Sequence, residues 1–235
     1  SERLHGVATV YTPTPSAKYP ITSASASPAD PLGSAIDSSV TGMYSSCSGT
    51  LAAAADAIPI AQRGPLHGLP MAPKDAVAVK GFSTSWGYAG FAETIEEQDD
   101  ELARRLREAG AIFIGHSNMP EFGLGSHTFN RLYGHTYNPY NLSKTPGGSS
   151  GGAAVALAAD LLPLADGSDL GGSLRNPASF CNVVGFRPSM GRMPFNRGFS
   201  WYGRMVTTGP MAKNVRDTIL LFSVMAGPHA SDPLT

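Results

Sequence analysis

Apolar positions in the middle of this chain recur with the period of a helix and then collapse into short continuous runs. Between residues 98 and 115, Leu102, Ala103, Leu106 and Ala109 fall at the spacing of a helix that buries one face. Its polar positions place acids four residues ahead of bases, Asp100 before Arg104 and Glu101 before Arg105, which suits i,i+4 ion pairs. Gly110 ends the helix, and Ala111-Ile112-Phe113-Ile114 follows at once as a predicted buried strand. A second helix is predicted after Gly152, where Ala153-Ala154-Val155-Ala156-Leu157-Ala158-Ala159 is an unbroken series of helix-compatible apolar residues. Leu161-Leu162-Pro163-Leu164-Ala165 then predicts another buried strand. Helices alternating with apolar strands predict an α/β fold whose sheet is covered on both faces.

Residues 1–60 lack such a period and are expected to form an arm. The first 50 residues hold 17 Ser and Thr but five charged residues, and Thr22-Ser23-Ala24-Ser25-Ala26-Ser27-Pro28 has neither helical nor strand character. Only Leu51-Ala52-Ala53-Ala54-Ala55 suggests a short helix. Glycines and prolines punctuate Arg63-Gly64-Pro65-Leu66-His67-Gly68-Leu69-Pro70, where compact structure is expected to begin, giving a compact core over 61–235.

Composition narrows the partners. The 235 residues carry a net charge of −1 and only 15% charged side chains, so there is no electrostatic footprint for nucleic acid or an anionic membrane surface. Apolar runs fall short of the ~18 residues of a membrane span, and no basic segment precedes an apolar one at the N-terminus. A cytoplasmic protein acting on a small molecule is the expectation. Cys47 and Cys181 have no metal-ligand spacing, and no metal or other cofactor is expected.

The chemistry concentrates in two glycine-rich segments, Pro146-Gly147-Gly148-Ser149-Ser150-Gly151-Gly152 and Gly167-Ser168-Asp169-Leu170-Gly171-Gly172-Ser173. Glycines let consecutive N–H groups converge, as an anion nest or oxyanion hole requires; plain turns with serine caps are the simpler alternative. A phosphate-binding loop is excluded because no Gly-Lys-Ser/Thr occurs. Gly148-Ser149-Ser150-Gly151-Gly152 matches the nucleophile elbow literally, yet the preceding Asn138–Pro146 segment, with two prolines, is a poor strand. A serine nucleophile also needs a base. His67, His116, His127 and His135 lie in turn-like contexts with no evident carboxylate partner. Lys74 lies in the nearly apolar Met71-Ala72-Pro73-Lys74-Asp75-Ala76-Val77, where desolvation would favour the neutral amine; a strand-end lysine with its ammonium in water is the alternative.

Taken in order, the segments Gly64–Pro70, Lys74-Asp75, Pro146–Gly152, Gly167–Arg175, Pro177–Cys181 and Val184–Pro188 closely resemble the amidase signature family. The resemblance runs from about residue 60 to the C-terminus. It implies a mixed, largely buried β-sheet covered by helices, and an amidohydrolase that cleaves a carboxylic amide through an acyl-enzyme. It further implies Ser173 as nucleophile, Ser149 as bridging serine behind a cis Gly148–Ser149 peptide, and Lys74 as base. The N–H groups of Leu170, Gly171, Gly172 and Ser173 would form the oxyanion hole, with Ser150 in support. Gly115-His116-Ser117-Asn118 departs from the family's Gly-Lys-Thr-Asn. Family members extend well beyond the position of Thr235, so a missing C-terminal half is expected, with self-association into a homo-oligomer through the sheet edge it would cover. A non-catalytic fragment that needs a partner, a component of an amidotransferase, and a serine hydrolase with a histidine base remain alternatives.

Overall fold

The computed structural model describes residues 10–11, 52–194, 205–230 and 232–235. The expected arm at 1–60 therefore lies mostly outside the described residues. In chain order the elements are β1 (Val10–Tyr11), α1 (52–56), β2 (Pro70–Met71), α2 (Glu101–Glu108), β3 (Ile112–Phe113), β4 (His116–Ser117), β5 (Phe129–Asn130) and β6 (Gly134–His135). The second half adds α3 (Gly151–Ala158), β7 (Leu164–Asp169), α4 (Arg175–Phe180), β8 (Val184–Gly185), β9 (Thr207–Ala212) and α5 (Val215–Met225). Among the described residues, no helix is long and apolar enough to cross a membrane.

The central sheet has the order β7-β9-β8 and is antiparallel, with Leu164 opposite Ala212 and Asp169 opposite Thr207. β2 and β3 pair in parallel, so pairing of both senses is present. Side chains alternate across a strand, and here the alternation divides two apolar layers. Leu164 and Ala212 face a core with Leu106, Phe113, Leu221 and Met225, which α2 and α5 help to build. Ala165 and Met211 face a second core with Ala153–Leu157 of α3 and Leu174 and Ala178 around α4. The sheet is thus covered on both faces.

Three local departures from the sequence expectation have physical causes. The helix predicted within 98–115 spans only Glu101–Glu108, because the Asp100 carboxylate accepts the Ala103 N–H at 3.1 Å as its N-cap. Arg104 turns to Glu101 and Glu108 rather than to that cap, while Glu101 meets Arg105 at 2.6 Å as predicted. The strand predicted at Leu161–Ala165 begins at Leu164, after Pro163, and continues through Gly167-Ser168-Asp169. Those three residues are therefore strand, and the second glycine-rich turn starts only at Leu170.

Helix α3 begins at Gly151, two residues before the predicted series, and its residues 151–157 are all buried. Such a helix is apolar on every side because protein surrounds it. Its entry demands glycine: a Cβ on Gly152 would stand 2.4 Å from the Asn118 backbone nitrogen, and one on Gly151 would stand 2.2 Å from Thr128 Oγ1. Thr128 accepts the Gly151 N–H at 3.0 Å and donates to the Gly147 carbonyl at 2.9 Å, pinning the loop before the helix.

Candidate active site

The loop between Pro146 and α3, the C-terminal end of β7 and the segment beside β4 converge on one cavity of about 610 Å³. Lys74, Ser149 and Ser173 all line it, although they are separated by 75 residues and a further 24 in sequence. Lys74 reaches this position because its segment runs parallel to β4. Lys74 bridges Ser117, the Ser117 N–H donates to the Pro73 carbonyl at 2.9 Å, and the Asp75 N–H donates to the Ser117 carbonyl at 3.1 Å.

The Lys74 side chain is 1% exposed, and its Nζ lies 2.6 Å from Ser149 Oγ, 2.9 Å from Ser150 Oγ and 2.9 Å from Ser168 Oγ. An ammonium has three N–H donors, and three hydroxyls accept them. Burial pushes the lysine down to about 7, against the attraction of Asp166 and Asp169. A proton can thus leave near neutrality, and the Ser149 hydroxyl can then donate to the exposed lone pair. The Gly148–Ser149 peptide is cis. Ser150 makes no side-chain cap on α3. Its Oγ instead accepts from Lys74 and from the Ser168 N–H at 3.2 Å, which removes the plain serine-cap reading of this loop.

Ser173 is half-buried on the cavity wall, and its carbonyl accepts the Ser150 N–H at 3.2 Å, tying the two serine loops together. Of the four N–H groups expected in the oxyanion hole, that of Gly172 is engaged: it donates to Asp169 at 2.8 Å. Those of Leu170, Gly171 and Ser173 donate to nothing among the described residues. The same Asp169 accepts from Leu174 N at 3.2 Å and Arg175 Nε at 2.9 Å, with Arg187 Nε at 3.3 Å. Burial alone would raise this carboxyl, but Arg175 and the two N–H donors outweigh it and hold it at about 2. A permanent anion therefore sets the shape of the turn from beneath. Gly172 has φ +120°, where only glycine is comfortable, whereas a Cβ on Gly171 would meet nothing within 4 Å.

The remaining lining is largely apolar: Trp86, Phe91, Met119, Phe122, Leu124 and Leu170 among others. Trp86 is held in place by Asp75, whose carbonyl accepts the Trp86 N–H at 3.0 Å and whose carboxylate takes the N–H groups of Ser85 and Gly87. Among the described residues, no histidine lines the cavity. His116 is buried, donates from Nδ1 to the Pro73 carbonyl at 2.9 Å and is pushed down by burial, so it is a neutral support for the strand carrying Lys74. His127 contacts Thr145, and His135 stacks on Phe129 and Tyr137. Cys181 lies in the core, its thiol pushed up to about 12 by burial; Cys47 falls outside the described residues.

Two groups at the site carry no sequence signal of their own. Ser168 and Asp166 lie two apart on β7, hence on one face, and both reach Lys74. Recognising β7 as extending to Asp169 would have placed them together.

Known proteins share this arrangement of chain. An acylamidase from Rhodococcus erythropolis is 44% identical over 176 residues, covering 73% of this chain and 36% of that protein. One of the subunits of the glutamyl-tRNA(Gln) amidotransferase from Syntrophobacter fumaroxidans is 44% identical over 168 residues, 72% of this chain and 35% of its own length. The chain therefore spans little more than a third of these relatives. Among solved structures, the peptide amidase of Stenotrophomonas maltophilia matches with a TM-score of 0.73 and 35% identity, over 81% of this chain and 40% of that one. A bacterial aryl acylamidase of the amidase signature family matches with a TM-score of 0.75 and 29% identity, over 84% and 45%. With residues 21–235 matching the Amidase family model, the chain belongs to the amidase signature family.

Proposed function

We propose that this chain carries the catalytic core of an amidohydrolase, with Ser173 as nucleophile, Ser149 as proton bridge and Lys74 as base. The observation that carries the reading is the 2.6 Å contact between the buried Lys74 amine and Ser149 in the cavity that Ser173 also lines. Neutral Lys74 takes the Ser149 proton as Ser149 takes that of Ser173, and the Ser173 oxygen bonds to the amide carbonyl carbon. The resulting oxyanion is held by the N–H groups of Leu170, Gly171 and Ser173, with the engaged Gly172 N–H shaping the turn from its Asp169 bond. Collapse breaks the C–N bond, and the proton returns through Ser149 to the leaving nitrogen. Water then attacks the acyl-enzyme by the same route and releases the acid.

The lining supports a neutral amide with apolar substituents. Lys74 is the one basic side chain in it among the described residues, and its hydrogen bonds go to hydroxyls. Glu101, at the end formed by the start of α2, is held at about 2 by Arg104, with Arg105 adding to the effect, so its charge is already matched. The amidotransferase relative favours a second reading, in which the core is one subunit of an amidotransferase, for which we take glutamine as the amide donor. Glutamine carries an α-carboxylate, for which the described lining offers only Lys74, already bonded to three hydroxyls.

The test is labelling with an active-site-directed fluorophosphonate and mapping of the adduct. Label on Ser173, lost in Ser173→Ala and Lys74→Ala, supports the mechanism; an unlabelled protein that still releases ammonia from amides would overturn it. Anilide hydrolysis without glutamine-dependent ammonia release separates the first reading from the second.

A further inference from the structure

The β7 carboxyl Asp166 has no part in the steps above, yet it is built into the same wall. It is 1% exposed, lines the cavity, and both of its oxygens accept the Lys74 backbone N–H, at 3.2 and 3.3 Å. Two residues along the same face, Ser168 Oγ accepts from the far end of the same lysine at 2.9 Å. β7 thus grips Lys74 at its main chain and at its amine. A buried carboxyl is an expensive way to anchor the Lys74 backbone N–H, since a carbonyl or hydroxyl would satisfy that donor without a charge to desolvate.

We propose that Asp166 is a positioning residue for the base: it fixes the Lys74 main chain against β7 and supplies the negative charge that compensates the ammonium formed when Lys74 takes the proton. This rests on Lys74 acting as the base. The surrounding charged groups are largely engaged elsewhere, though Asp169 also attracts the Lys74 amine. Asp169 is occupied by Arg175, Asp75 by Ser85 and Gly87, and His116 is neutral. Asp100, at the start of α2, faces Asp166 as a like charge. The elements α3 and β9 packed against β7 carry no titratable residue, and α5 brings Arg216 and Asp217 in its first turn. Burial pushes Asp166 up to about 7, partly opposed by Lys74, while Asp166 in turn raises Lys74 against its own burial.

The experiment compares wild type, Asp166→Asn and Asp166→Glu in the intact protein by kcat/KM against pH and by the rate of fluorophosphonate labelling over the same range. Asn keeps an oxygen for the Lys74 N–H and removes the charge. The expected result is a rise in rate whose midpoint moves about one pH unit lower, because an uncompensated ammonium loses its proton more readily. Its plateau should fall about 10-fold, because the base is weaker. Glu should restore the midpoint. A merely structural role would lower thermal stability and plateau while leaving the midpoint in place. An Asn variant with an unmoved midpoint, or Asn and Glu variants that both fail to fold, would overturn the proposal. Lys74→Ala is the control: if it retains turnover, the base assignment fails, whatever Asp166 does.

Discussion

At the residue scale, Gly171 separates a requirement of the fold from a requirement of the proposed chemistry. Its neighbour Gly172 needs φ +120°, and a Cβ there would press on Asn176, so substitution would damage the free protein. Gly171 lies outside that φ range, and a Cβ meets open space. Gly171→Ala should therefore fold with an unchanged melting temperature and lose about 10²-fold in kcat/KM, because the methyl would displace a bound carbonyl. Normal kinetics in that variant would remove the turn from the oxyanion hole. Lys74 makes the complementary prediction for pH. Its conjugate acid is held at about 7, and only the neutral amine accepts a proton, so kcat/KM should climb as pH rises through that value. Lys74→Arg should be as inactive as Lys74→Ala, on the order of 10⁴-fold down, since a guanidinium stays protonated. Both are read from steady-state rates over a pH series.

At the element scale, α3 inverts the usual rule for helical glycine. Replacing an interior glycine by alanine ordinarily gains about 1 kcal/mol. At Gly152 the new Cβ would stand 2.4 Å from a backbone nitrogen, which cannot swing aside, so overpacking wins and Gly152→Ala should lose about 2 kcal/mol in urea unfolding. Sequence pattern reveals the existence of this helix and of α2, because an unbroken apolar series and a spaced Leu102, Ala103, Leu106 face are local signals. It also brings out Lys74, Ser149, Ser150 and Ser173 through ordered motifs. It does not reveal Asp100 as a cap in place of an ion-pair partner, the late start of β7, or the grip of Asp166 and Ser168 on Lys74. Those depend on which strand runs beside which, and Asp166 meets Lys74 across 92 residues of chain. The motif alone offers the Gly172 N–H to the oxyanion, blind to Asp169, a rival acceptor three residues before it.

At the scale of the whole molecule, one side chain ties α2 to the end of α5. Arg105 on α2 donates to the carbonyls of Met225 at 2.8 Å, Gly227 at 3.2 Å and Pro228 at 2.8 Å, closing the C-terminus of α5 with a forked cation where the helix dipole is negative. Lysine has no fork, so Arg105→Lys should cost about 2 kcal/mol, measured by the urea midpoint, with little change in KM. β7 has a wider consequence. It separates the two apolar layers and carries Asp166, Ser168 and Asp169, and the hydroxyl contacts at Lys74 are 2.6–2.9 Å long. A strand pressed between two layers behaves as a gauge needle between springs: trimming volume from either side shifts its rest position. Met211→Ala on one side and Leu221→Ala on the other should therefore each slow turnover at temperatures where the protein is still fully folded, and the paired variant should recover part of the lost rate.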